Sequence, residues 1–342
     1  MFNSRLGKTS LGVGALLFGL WIAQNWVGER TGATALPQHG WGLPPLLALI
    51  WALRSRQYRL SLLNLAFLMF WAKALLGFEF SLASAGPNQP KPLRLMTYNI
   101  QRGAGGTDAL ERVVRAQNPD ILCLQESQGR FKSQPFGAGE ALKARFPAWS
   151  AAQSGDVMTL SRFPIVSQRS FPLRGTRRIL ETTYQTPRGA LRVLNIHVST
   201  SFAGQPYAPR GKAGRLIRVM REAKPAAQTR MQQIAPILTA RRESDPAYRN
   251  PSLMPLPTLI AGDFNSPPRG LFYGAISSGF TDAWQSGGRG TGHTFPANFP
   301  LLPIDHVLTS EVTVRRAWVP NVRASDHRPM VVDFNLGSAV FR

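Results

Sequence analysis

The sequence predicts an α+β domain over residues 93–342, set behind a helical N-terminal segment that enters a membrane. Three observations carry this. Three apolar stretches fill the first eighty residues. From Leu93 onward the pattern changes to short apolar runs separated by Gly, Pro and polar clusters. Those runs mix strand and helix signals without strict alternation, which points to helices covering sheets. A chain of 342 residues holds a core large enough to need no covalent staples. The single cysteine, Cys123, excludes an intramolecular disulfide and reads as a small core residue within Ile121, Leu122 and Leu124.

The apolar stretches span residues 11–27, 41–53 and 60–78. A membrane-crossing helix needs about 20 apolar residues. The third stretch meets this, although Lys73 lies inside it, and the first is interrupted late by Gln24 and Asn25. The second is short, carries Pro44 and Pro45, and reads either as a span or as a re-entrant segment. Arg5 and Lys8 precede the first stretch, and Arg54, Arg56 and Arg59 lie between the second and third. The loop between the first and second offers only Glu29 and Arg30. With the basic segments in the cytoplasm, about three transmembrane helices place everything after them outside it. The expectation is a multi-pass cell-membrane protein with anchor 1–83, a Gly- and Pro-rich linker 84–92 and an extracytoplasmic domain 93–342. No small-x-small site closely follows the first stretch, which argues against a cleaved signal peptide there.

Within the domain, strands are predicted at 93–100, 121–125, 157–161, 179–185, 190–198, 258–262, 304–309 and 330–334. Helices are predicted at 108–117, with Thr107 as N-cap, and at 140–145 and 229–240. Residues 1–84 hold seven of the 40 Lys and Arg and two of the 18 Asp and Glu, which leaves residues 85–342 at a formal +17. A domain that basic attracts polyanions such as nucleic acid or anionic lipid head groups.

Polar side chains recur where the apolar strands end. Asn99 closes the first strand and Glu126 the second; Asn195 and His197 sit in the run ending at Val198. Asp263 and Asn265 follow 258–262, Asp305 and His306 follow Pro303, and Ser325, Asp326 and His327 precede the last strand. Carboxylates and amides are hard oxygen ligands for Mg²⁺, and a histidine beside a carboxylate is a general base. If these strand ends converge on one edge, they form one site.

The ordered segments 96–100 (MTYNI), 120–126 (DILCLQE), 160–165 (LSRFPI), 195–197 (NIH), 262–265 (GDFN), 304–307 (IDHV) and 325–329 (SDHRP) resemble the endonuclease/exonuclease/phosphatase superfamily. The resemblance covers essentially the whole soluble domain. It implies a four-layer sandwich, two packed mixed β-sheets flanked by helices, and hydrolysis of phosphodiester bonds with Mg²⁺ or Mn²⁺. It further implies Glu126 as the principal metal ligand, with Asn99 and Asp326 completing or orienting the inner shell. His327 becomes the general base, its tautomer fixed by Asp305. Asp263 and Asn265 position the nucleophile and the phosphate, and His197 stabilises the charged state or protonates the leaving oxygen. Gly155 and Asp156 stand where the pancreatic deoxyribonuclease has the glutamate that orients its first histidine, and Pro303 replaces the family's usual arginine.

Between His197 and the helix near Thr229 lies a basic insertion with Arg210, Lys212, Arg215, Arg218, Arg221 and Lys224 against Glu222 alone. It reads as a substrate-binding element along a phosphate backbone, as a basic helix on an anionic leaflet, or as a solvated loop. The expected substrate is nucleic acid; a phospholipid or small phosphoester is the alternative, and a non-catalytic basic tether the third.

Overall fold

The computed structural model describes residues 2–28, 38–81, 91–129, 137–174, 177–199, 212–243, 245–250 and 253–337, with the backbone alone at Arg174, 212–227, Pro246 and Arg249. Strand β1 (Glu79–Phe80) follows the N-terminal helices. The domain then runs through β2 (Leu93–Asn99), β3 (Ile121–Gln125), β4 (Ser150–Ser154), β5 (Val157–Ser161), β6 (Ile165–Arg174), β7 (Arg177–Thr186) and β8 (Gly189–His197). After the helix Lys212–Glu243 come β9 (Thr258–Asp263), β10 (Thr281–Asp282), β11 (Arg289–Gly290), β12 (Asp305–Ser310), β13 (Val312–Trp318) and β14 (Met330–Leu336).

Two six-stranded sheets result, ordered β13-β14-β2-β3-β5-β4 and β10-β12-β9-β8-β7-β6. Each is antiparallel except for one central parallel pair, β2 with β3 and β8 with β9. Because alternate side chains point to opposite faces of a strand, each central strand feeds two cores. Leu95, Ile121 and Cys123 meet Val193, Leu259 and Val307 between the sheets. Their neighbours Met96, Leu122 and Leu124 turn outward beneath Leu110, Val113 and Val114 of the helix Thr107–Gln117 and Leu142 of the helix Ala138–Lys143. On the other sheet, Leu194, Ile196 and Ile260 lie under Ile237 and Ala240 of the helix Lys212–Glu243 and Phe272 and Ile276 of the helix Gly270–Ser277. This is the expected four-layer α+β sandwich.

Every predicted strand forms. In the two six-stranded sheets, the strands that the sequence reading passed over, β4, β6, β10 and β13, all lie at the edges; the short pair β1 and β11 was passed over too. Three of these edge strands (SAAQS, IVSQRSFPLR, VTVRRAW) are rich in Ser, Gln or Arg, and β10 is only the pair TD. An edge strand buries less and is held by its neighbour's ladder, so it lacks the apolar run that marks a central strand. The helix expected at 229–240 extends back to Lys212 and spans 32 residues. Helix Thr107–Gln117 starts from Gly106, not from a Thr107 cap.

The N-terminal segment forms a helix Arg5–Ile22 that continues as a wider turn to Val27, and a hairpin of helices Leu43–Arg54 and Tyr58–Phe70, the latter continuing to Leu75. One expectation changes here. Among the described residues, a single helix, Arg5–Val27, is long and apolar enough to cross a membrane. The second segment makes only 12 helical residues, about 18 Å at 1.5 Å per residue against a hydrocarbon core of about 30 Å. The third carries Asn64 and Lys73, so three complete spans are not supported. The hairpin instead packs along the first helix: Leu6 meets Ala52 and Leu60, and Asn64 donates to Ser10 Oγ at 2.8 Å. The linker expected at 84–92 lies largely outside the described residues.

Candidate active site

Five strand ends deliver the site. Asn99 and Glu126 lie at the C-terminal ends of β2 and β3, His197 and Asp263 close β8 and β9, and Asp305 opens β12. Parallel pairing sets His197 beside Asp263, and antiparallel pairing sets Asp305 opposite Asp263. The loop before β14 adds Asp326 and His327. All are buried except Glu126 and Asp326, which are half-exposed.

Asp263 is the centre. Its Oδ1 accepts the Asn265 backbone N–H at 2.8 Å, and its Oδ2 accepts the amides of Asn99 at 3.0 Å and Asn265 at 3.1 Å. Two histidines flank it: His197 Nε2 at 3.5 Å and His327 Nε2 at 3.8 Å. Each histidine is backed by its own carboxylate. His197 Nδ1 meets Asp156 Oδ2 at 2.6 Å, and His327 Nδ1 meets Asp305 Oδ2 at 2.8 Å. The result is one chain, Asp156–His197–Asp263–His327–Asp305, with both Nε2 atoms turned inward.

Asp156 answers the departure noted in the sequence: it takes the orienting position, supplied by the tight β4–β5 turn at Gly155. Burial works to raise its pKa, but the His197 hydrogen bond and charge and the nearby Arg177 outweigh it and hold the carboxyl below its ordinary value. For His327, burial favours the neutral ring, yet the Asp305, Asp263 and Asp326 carboxylates prevail and raise it to about 10. Asp326 is raised, first by burial and further by the charges of Glu126 and Asp263.

The donor set fits a divalent cation. Ligand atoms of Asp263, Asp305 and His327 lie within 4.8 Å of one another, and Asp305 Oδ1 is buried without a partner. Glu126 and Asp326 add further hard oxygens in a field already too negative for its own comfort, which a cation relieves. Asn99 turns its amide toward Asp263 and, at 3.5 Å, Glu126, while its oxygen accepts the Gln101 N–H. It therefore orients the carboxylates. Glu126 sits on left-handed backbone (φ 56°), as does Asn265 (φ 48°), conformations that cost non-glycine residues free energy and gather at functional sites.

Some supporting residues gave no sequence signal. Arg177 donates to the carbonyls of His197 and Val198 at 3.1 and 2.9 Å, and Arg230 donates to the carbonyl of Asn265 at 2.9 Å. Gln125 bonds Asn195 across the sheets at 2.8 Å, and Asn195 in turn donates to Leu124 and Met158 carbonyls. Polar residues inside apolar runs were the visible clue for that pair. Arg210 lies outside the described residues, as do the side chains of Lys212, Arg215 and Arg218, so the site geometry does not include them.

The sequence profile described as the Endonuclease/Exonuclease/phosphatase family matches residues 96–327. The sequence has no significant match among curated proteins. Among solved structures, an endonuclease/exonuclease/phosphatase family protein from Bacteroides thetaiotaomicron is similar at TM-score 0.52 and 17% identity, covering 74% of this chain and 98% of that one. One from Beutenbergia cavernae DSM 12333 gives TM-score 0.50 and 19% identity over 73% of each chain. Humanized D. rerio TDP2 gives 0.50 and 14%, over 71% of this chain and 98% of that one. At these identities the likeness speaks for the fold, and the profile match, over two thirds of the chain, speaks for the family. The chain is a phosphoesterase of the hydrolase type and belongs to the endonuclease/exonuclease/phosphatase family.

Proposed function

We propose that the protein is a metal-dependent phosphodiesterase, anchored by its N-terminal helices with the catalytic domain outside the cytoplasm. The observation that carries the chemistry is the pair of oppositely backed histidines around Asp263. One is suited to take a proton and the other to give one. His327, steered by Asp305, accepts the proton of the attacking water; Asp263 and Asn265 align that water with the phosphorus. His197, steered by Asp156, delivers a proton to the departing oxygen. Glu126 and Asp326 would hold Mg²⁺ or Mn²⁺, which would supply positive charge against the phosphate and against the carboxylates around His327.

Two observations bear on location and substrate. Among the described residues, the one helix long and apolar enough to cross a membrane, Arg5–Val27, carries Arg5 and Lys8 at its N-terminal end, and the rest of the chain follows its other end. With that basic end inward, a single crossing places the catalytic domain outward. The formal +17 of residues 85–342 favours an anionic substrate, with nucleic acid as the polymeric candidate.

The test uses the full chain in detergent with bis(4-nitrophenyl) phosphate. Hydrolysis should require Mg²⁺ or Mn²⁺, stop with EDTA, and fall at least about 100-fold in Glu126→Gln and in Asp263→Asn. Wild-type turnover by either variant would sink the mechanism.

A further inference from the structure

The helical unit docks on the catalytic end of the sandwich, not on its back. Arg269, on the connection leaving β9 just past Asp263, donates to the carbonyl of Leu75 at 2.7 Å. The next amide, Gly270, reaches Asn25 Oδ1 at 3.4 Å. His293, on the connection entering β12, stacks edge-on against His39 at 4.9 Å between ring centres. On that same connection Phe295 packs against the His327 ring, also at 4.9 Å. β1 pairs with β11 and extends the seam, with Ser81 Oγ donating to the Ser286 carbonyl. Both connections that hold the helices therefore also touch the site, one through Asn265 and the other through Phe295 against His327.

Exposed apolar side chains lie on both sides of this seam. Along the helices Leu11, Phe18, Leu47, Leu62 and Met69 are exposed, and Trp26 at the seam end is 66% exposed. Beyond it the domain continues with Leu271 at 44% and Phe299 at 70%, the latter on the loop that carries Phe295. Clusters of exposed apolar side chains mark surfaces that meet a protein, a ligand or a membrane. Charge says which one. Arg5 and Lys8 lie at the far end of the 23-residue helix Arg5–Val27, which is about 35 Å long, enough for a bilayer core. A basic end, an apolar helix of bilayer length and the exposed Trp26 at its other end match a membrane from one surface to the other.

We propose that the catalytic end faces the bilayer, with Phe299 and Leu271 at head-group level, and that the substrate is a phosphodiester carried by a membrane lipid. This deepens the phosphodiesterase reading and rests on it. Water's oxygen bonds to phosphorus as one P–O ester bond breaks; the water proton goes to His327 and the leaving oxygen takes one from His197. The products are a phosphomonoester and an alcohol, and no co-reactant beyond water enters.

The experiment uses the full chain reconstituted in vesicles of phosphatidylethanolamine and phosphatidylglycerol. Phe299→Cys carries an environment-sensitive dye, Cys123 being buried. Its emission should shift to the blue and be quenched by lipids spin-labelled near the head group, whereas the same dye at Arg315→Cys on β13 should report water. A water-like signal at Phe299 would overturn the proposal whatever the activity. In parallel, head-group release is compared with hydrolysis of bis(4-nitrophenyl) phosphate and nicking of plasmid DNA. Phe299→Asp with Leu271→Asp should lower lipid turnover at least about tenfold and leave the soluble diester within twofold. Soluble-diester turnover with intact lipid, or with DNA cleaved instead, would overturn the lipid assignment and leave the phosphodiesterase standing. No soluble-diester turnover would count against the phosphodiesterase reading itself, with the dye still deciding the orientation.

Discussion

At the scale of single residues, the two histidines differ in their surroundings more than in their geometry. His327 faces three carboxylates and is pulled strongly toward the protonated form, whereas His197 has its charge partner, Asp156, on the turn between β4 and β5. Asp156 touches neither Asp263 nor any reacting atom; it holds the ring of His197 and fixes which nitrogen bears the proton. Asp156→Asn preserves shape and removes the charge. We expect turnover to drop roughly 10²–10⁴-fold, the span of a lost acid or base, with the alkaline limb of the pH profile displaced and KM for the soluble diester little changed. A profile identical to wild type would show that His197 needs no orienting carboxylate.

At the scale of elements, the site depends on how closely β8 and β9 approach. Gly262 has φ 150°, and a Cβ there would stand 1.9 Å from the carbonyl oxygen of Ile196. No side chain fits, and the displaced backbone would be the one that aims His197 and Asp263. Gly262→Ala should therefore destabilise the domain by about 3 kcal/mol or more. Thermal melting would show this as a lowered Tm, and an unchanged Tm would mean the strands can part without cost. The glycine was legible in the sequence as part of Gly-Asp-Phe-Asn, and so were the central strands, because burial on both faces leaves a continuous apolar run ending in a polar residue. The edges were not: β4 and β13 lean on one neighbour each and carry side chains that suit loops equally well. The same reason hid Arg177 and Arg230. They act through backbone carbonyls brought close by folding, and an arginine in a basic chain announces nothing about which carbonyl it will meet.

At the scale of the whole molecule, the N-terminal helices and the catalytic domain share a titratable seam. His293 is 7% exposed. Burial, with His39 and Arg269 adding positive charge, lowers its pKa to about 4 despite hydrogen bonds to the Leu76 and Pro300 carbonyls. The folded state thus binds a proton more weakly than the unfolded chain, whose histidine titrates at about 6.5. The sign follows: this contribution to stability is complete above about pH 6.5 and is lost as pH falls toward 4. The difference of about 2.5 pK values amounts to about 3 kcal/mol at most. His293→Gln keeps a donor and cannot charge, so its melting temperature should fall less than wild type between pH 7.5 and 4.5. Carboxylates elsewhere titrate alike in both proteins, which makes the difference between the two curves the readout. Parallel curves would mean that His293 is solvated in the folded protein. Divergence would show that protonating His293 costs stability where the N-terminal helices meet the loop that carries Phe295 against His327. It would then tie the docking of those helices to the arrangement of His327.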